Sequence, residues 1–96
     1  MPPARIRYHE DVDRDLEEIP ANLRTRLKTA IETRIAVEPR KVGEPLREEL
    51  SGLRKLRVGD YRIVYEVESD RVTIWGIQHR KGVYPAMVRR WLRNGD

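Results

Sequence analysis

A chain of 96 residues with 39% hydrophobic and 38% charged side chains is expected to fold as one domain, residues 1–96, around a modest core under an ionic surface. It has no cysteine, which excludes a disulfide framework or a thiolate metal site. It also lacks an apolar leader or a run of ~18 apolar residues for a membrane span, so a cytoplasmic protein is expected.

Ile6, Arg7 and Tyr8 follow a Pro-rich start and suit a short first strand. From Glu10 to Ile19, Val12, Leu16 and Ile19 recur at helical spacing, and Asp11 and Asp13 place negative charge where a helix dipole favours it. Pro20 stops this helix. A longer one is predicted over 21–37, with Leu23, Leu27, Ala30, Ile31 and Ile35 on one stripe and Pro39 as its limit. The short joint between the two predicts an antiparallel helical hairpin whose apolar face needs a sheet to cover it. Residues 38–52 contain two Pro and two Gly and read as a connection, with a turn of helix around Arg47 to Leu50.

The period then changes. Residues 53–58, 61–68 and 71–80 are rich in Val, Ile, Tyr and Trp and are punctuated by Gly59-Asp60 and Ser69-Asp70, which predicts three antiparallel strands in a meander. In the middle strand Tyr61, Ile63, Tyr65 and Val67 share one face, and Arg62, Val64, Glu66 and Glu68 the other. After Gly82 a helix is predicted over 83–92, ahead of a polar end at Arg93, Asn94, Gly95 and Asp96. The fold class is therefore α+β, a helical hairpin on a small antiparallel sheet that becomes mixed if the first strand joins it.

Net charge is +4, unevenly placed: residues 1–52 carry ten Lys or Arg against eleven Asp or Glu, and residues 53–96 ten against five. A positive second half suits a polyanion such as nucleic acid, or an acidic protein. No phosphate-binding loop, HExxH or CxxC motif is present, and the two histidines, His9 and His79, are far apart. What the sequence concentrates on its strands is cation: Arg54, Lys55, Arg57, Arg62, Arg80 and Lys81, with Tyr61, Tyr65, His79 and Tyr84 among them. Guanidinium forks match phosphate oxygens, and aromatic rings stack on unpaired bases. The same rings equally suit core packing, most of all Tyr65 and Trp75.

The stretch LSGLRKLRVGDYRIVYEV, followed by VTIWGIQHRKGVY, resembles the RelE/ParE superfamily of toxins from bacterial type II toxin-antitoxin systems. The shared features are an arginine-containing strand, a G-D-Y-R turn into the next strand and an H-R-x-x-x-Y-like ending. The resemblance implies a fold of the RelE-like microbial ribonuclease type. It also implies an antitoxin partner in a toxin-antitoxin hetero-oligomer, and no cofactor or metal. RelE-like members cleave messenger RNA, typically in the ribosomal A site, and so inhibit translation. ParE-like members poison DNA gyrase instead.

Carried over by motif, Lys55 matches a lysine implicated as base or phosphate ligand, and Arg62 the arginine that stabilises the scissile phosphate. Arg80 matches the arginine acting on the leaving oxygen, and Tyr84 the tyrosine that orients the nucleotide. Arg54, Arg57 and Lys81 would add RNA contacts. A second lysine present in some relatives is replaced here by Leu53. Other branches use a glutamate before the strands and a C-terminal histidine, which makes Glu44 and His79 rivals to Lys55.

RNA can be cut without a metal if its 2′-hydroxyl attacks the adjacent phosphorus, which needs a base, cations around the phosphorane and relief of charge on the departing oxygen. Arginine stays charged and cannot be the base, which leaves Lys55, His79 and Glu44. The alternatives to a messenger RNA endonuclease are a gyrase inhibitor or a toxin-fold protein that only binds.

Overall fold

The computed structural model describes residues 2–94. In chain order it has strand β1 (Arg5–Tyr8), helix α1 (Val12–Glu17), helix α2 (Ala21–Ala30) continuing as a π-turn (Ile31–Ile35), and a short helix α3 (Pro39–Val42). A two-residue strand β2 (Glu44–Pro45) and a 3₁₀ turn (Glu48–Leu50) follow. Strands β3 (Arg54–Val58), β4 (Tyr61–Glu68) and β5 (Arg71–His79) and helix α4 (Val83–Asn94) complete the chain. Of the expected polar end, Gly95 and Asp96 lie outside the described residues. No helix among the described residues is long and apolar enough to cross a membrane.

The five strands form one sheet in the order β1-β5-β4-β3-β2. The predicted meander is its centre, with β4 antiparallel to β3 and β5, and β1 is the single parallel strand, pairing Arg5 to Tyr8 with Arg71 to Ile74. The sheet separates two apolar layers. On one side Leu56, Val58, Ile63, Tyr65, Val72, Ile74 and Ile77 pack with Val12 of α1 and with Leu27, Ala30, Ile31 and Ile35 of α2 and its π-turn. On the other, Leu53 and Val64 pack with Leu50 and with Val83 and Met87 of α4. The alternation expected in β4 holds: Tyr61, Ile63, Tyr65 and Val67 face the α1–α2 layer, while Val64 faces α4.

Three departures from the sequence reading have local causes. The helix predicted over 21–37 loses its α-helical register at Ile31, where the Ala36 N–H reaches the Ile31 carbonyl at 2.8 Å. The wider turn brings Ile31, Ile35 and Ala36 together into the core. Pro39, expected as a limit, also starts α3, where its missing N–H is not needed. The connection contains a strand the sequence did not announce: Glu44 pairs with Lys55 and Pro45 with Arg54. Pro at a sheet edge sacrifices no ladder bond.

A bulge between β4 and β5 fixes which side chains reach which layer. Val64 pairs with Gly76 but Tyr65 with Ile74, so Trp75 is the extra residue. Ile74 and Ile77, three apart, are thereby buried in the same layer. Without the extra residue, strict alternation would put them on opposite faces.

Candidate active site

Lys55, Arg57 and Arg62 share the α4 face of the sheet. Lys55 pairs with Val64 and Arg57 with Arg62, while the intervening Leu56 and Ile63 are buried in the α1–α2 layer. The cations therefore step along one face at strand spacing, about 6–7 Å between Lys55 and Arg57. Arg62 Nη1 donates to the carbonyls of Gly59 and Tyr61 at 3.2 and 3.0 Å, which holds its guanidinium at the β3–β4 turn. Gly59 makes that turn with φ 59°, a conformation that favours glycine.

Tyr84 comes to Lys55 from the first turn of α4. The Lys55 Nζ donates to the Tyr84 hydroxyl at 2.5 Å and stands 5.2 Å from the ring centroid. Tyr84 is 45% exposed, far more than packing requires. Glu44, placed opposite Lys55 by the β2–β3 pairing, brings a carboxylate oxygen to 4.0 Å from Nζ. These groups line a groove of about 590 Å³ between the 44–50 segment and α4, with Leu46 and Val88 in its apolar lining. That volume is in the range of small-ligand clefts.

Not every sequence candidate lies here. Arg54 points to the opposite face and donates to the carbonyls of Gly43 (2.6 Å) and Arg40 (3.0 Å), pinning the chain that leads into β2. His79 pairs with Tyr61 across the strands and meets its ring edge-on at 5.5 Å, on the α1–α2 side and across the sheet from Lys55. The bulge at Trp75 is the reason. An unbulged β5 would turn His79 toward α4, and the extra residue gives that side to Gln78, which pairs with Arg62. The His79 Nδ1 instead accepts the N–H of Lys81 at 3.2 Å.

Arg80 is exposed just past β5, its N–H on the Asp60 carbonyl at 2.8 Å and its Nε 3.5 Å from the Asp60 carboxylate, so it reaches the same turn that holds Arg62. Lys81 is exposed beside it. The structure thus brings Lys55, Tyr84 and Glu44 together at one end and gathers Arg57, Arg62 and Arg80 at the other.

The groove is less uniformly positive than the charge count implied. Arg47, Glu48 and Glu49 line it together with Glu44. None of the three was singled out from the sequence, because the segment follows no strand or helix period that would give its side chains a direction. Trp75, expected as a core residue, is half-buried among aromatic neighbours: it stacks on His9 at 4.9 Å, meets Trp91 edge-on at 4.8 Å and donates to Glu66 at 3.1 Å. Among the described residues no group of three His, Cys, Asp or Glu side chains is placed to hold a metal ion.

Comparison with known proteins agrees with this architecture. The family described as the ParE toxin of type II toxin-antitoxin systems matches residues 6–84. Toxin RelG of Mycobacterium tuberculosis is 31% identical over 84 residues, spanning 85% of this chain and 97% of its own length. Toxin RelE of the same organism is 34% identical over 73 residues, 74% of this chain and 75% of that protein. Among solved structures, the RelBE2 toxin-antitoxin complex of M. tuberculosis superposes with a TM-score of 0.78 at 32% identity, covering 83% of this chain and 94% of the matched one. The RelB-RelE complex of Methanococcus jannaschii shares the fold, with a TM-score of 0.67 at 24% identity over 83% of this chain and 96% of that one. The chain therefore belongs to the ParE toxin family of type II toxin-antitoxin systems, within the RelE/ParE superfamily.

Proposed function

We propose that this toxin is an endoribonuclease that cuts messenger RNA by activating the 2′-hydroxyl next to the scissile phosphate, and that it acts on messenger in the ribosomal A site. The observation that carries the reading is the meeting of the Lys55 ammonium and the Tyr84 hydroxyl in an open groove, with Arg57 and Arg62 on the same sheet face. In this scheme Tyr84 stacks on or orients a nucleotide, and Lys55, having given up its ammonium proton to solvent, takes the 2′-hydroxyl proton as the free amine, with Glu44 as the nearest rival base. Arg62 meets the charge that grows on the equatorial phosphorane oxygens. Arg80 neutralises the departing 5′-oxygen, and Arg57 and Lys81 hold flanking phosphates. Attack by the 2′-oxygen breaks the P–O5′ bond, leaving a 2′,3′-cyclic phosphate, and the departing 5′-oxygen, its charge met by Arg80, takes a proton from water to become a 5′-hydroxyl.

The similarity to RelG and to the toxin of the RelBE2 complex, both above 30% identity, supports the nuclease reading. A cognate antitoxin is the proposed partner, because two of the structural relatives were solved as toxin-antitoxin complexes and an unrestrained nuclease would arrest its own cell. A second reading, a ParE-like gyrase poison, is favoured by the matched family's description. Inducing the toxin in cells and mapping messenger ends by primer extension, beside a DNA-damage reporter, separates the two. New messenger ends without DNA damage are expected, and adding ribosomes to purified toxin should raise cleavage. DNA damage with intact messenger would favour the gyrase reading.

A further inference from the structure

The helix that presents Tyr84 is fixed by a charged clamp on its far flank. β1 pairs with β5 only as far as Ile74, so the β5 edge beyond it is met by α1 instead of a strand. Asp15 of α1, 7% exposed, accepts the Ile77 N–H at 2.9 Å and the Gln78 Nε2 at 2.6 Å. The same carboxylate receives Arg90 of α4 through two bonds, Nη1 to Oδ2 at 2.9 Å and Nη2 to Oδ1 at 3.0 Å. Arg90 Nη1 also donates to the Trp75 carbonyl at 2.9 Å. One guanidinium-carboxylate pair thus joins α1, β5 and α4.

This arrangement differs from plain adhesion in two ways. A buried ion pair adds little net stability, because desolvating both charges offsets most of their attraction. Apolar contacts are also non-directional and let a helix roll or slide, whereas a planar two-bond fork fixes both rotation and height. Arg90 lies six residues after Tyr84, about 9 Å along the helix axis, with Met87 between them packed over Gly76. A side chain at Gly76 would collide with Met87 Sδ and stand 2.8 Å from Arg90 Nη1. Any change in the roll of α4 at Arg90 is therefore transmitted to the Tyr84 hydroxyl.

We propose that Asp15 and Arg90 are positioning residues for the active site: their ion pair sets the rotation of α4 and so holds the Tyr84 hydroxyl on the Lys55 ammonium. Asp15 also holds Gln78, the cross-strand neighbour of Arg62, through a separate bond that does not involve Arg90. The inference rests on the reading of Lys55 and Tyr84 as parts of an RNA-cleaving site.

The test is a double-mutant cycle with the full-length toxin. Arg90→Lys keeps the charge but cannot form the fork, and it should lower kcat by the same factor as Tyr84→Phe, up to about 10²-fold, with KM little changed. The variant carrying both changes should be no slower than Tyr84→Phe alone. Losses that multiply in the double variant, or wild-type kcat in Arg90→Lys, would overturn the proposal. A second readout needs no cleavage: the ¹³Cζ resonance of ring-labelled Tyr84, which reports its hydrogen bond, should move in Arg90→Lys toward its position in Lys55→Met.

An unmoved resonance sinks the positioning role. A moved resonance in a toxin that cuts no RNA supports the clamp and removes the nuclease reading instead. If a single variant fails to fold, Asp15→Leu combined with Arg90→Met removes both charges without leaving one buried alone, and the same two readouts apply.

Discussion

Lys55 sits between a phenol oxygen that accepts its hydrogen bond and a carboxylate 4.0 Å away, and the three candidate bases now make different demands. Lys55→Met should lower cleavage by about 10²-fold or more, as loss of a general base does. Arg62→Ala should cost a similar factor, as loss of a donor to a developing oxyanion does. Glu44 is largely exposed and its contact with Lys55 is long, so Glu44→Gln should cost less than about fivefold. His79→Ala should leave the rate unchanged, because its ring lies across the sheet. Single-turnover cleavage of one RNA by the four variants checks the set, and a large loss in His79→Ala would return the base to that residue.

The sequence put Lys55, Arg57 and Arg62 on consecutive strands, and the observed β3–β4 register puts them on one face. It could not place His79, because a single bulge residue at Trp75 inverts every later side chain of β5, and the one local sign of it, Gly76 inside the strand, does not fix the register. Arg54 was misplaced for a simpler reason: it looked like one of a run of cations, and strand alternation sends it to the opposite face, where two carbonyls take it.

At the scale of elements, β3, β4, β5 and α4 were legible because β-branched and aromatic runs, turn residues and a helical stripe all agreed. In the connection over 38–52 only the turn of helix at Glu48–Leu50 was. Its short helix and strand are two to four residues long, too short for a period to show, and they are held by distant groups. The Tyr65 hydroxyl donates to the Pro39 carbonyl at 2.8 Å, and Arg54 holds Gly43.

The docking of α4 is the element-scale feature most exposed to a single change. Gly76→Ala would drive a methyl group into Met87 Sδ and against Arg90 Nη1, so the ends of these two side chains, the first wholly buried, must shift. A loss of about 1–3 kcal/mol is expected for such overpacking. Chemical denaturation measures it, and an Ala variant as stable as the parent would show that α4 docks less closely than described.

Across the whole molecule, the charge asymmetry read from the sequence becomes a sheet face with cations toward the β3–β4 turn and carboxylates along the opposite wall of the groove. Charge also ties the termini of the fold together. Burial of Asp11 opposes its ionisation, but the hydrogen bond from Arg93 and the charges of Arg90, Arg93 and His9 outweigh it and hold its carboxyl below the ordinary 3.8. Because the folded value is depressed, the stabilisation is complete above 3.8 and is lost as pH falls below it through the folded value. Arg93→Gln should therefore flatten the loss of stability in that acid range while changing little at neutral pH. Urea denaturation across pH checks this, and an unchanged acid limb would mean that the Arg93–Asp11 contact carries no weight.

Whether this surface seats a phosphodiester so that its own 2′-oxygen attacks, as proposed, can be read from a messenger with a single 2′-deoxy nucleotide at the mapped cleavage position, by analysing the ends the toxin forms. Cleavage should stop at the deoxy position, and the all-ribose control should yield a 2′,3′-cyclic phosphate and a 5′-hydroxyl. Cleavage persisting at the deoxy nucleotide, or a product carrying a 5′-phosphate, would contradict that mechanism.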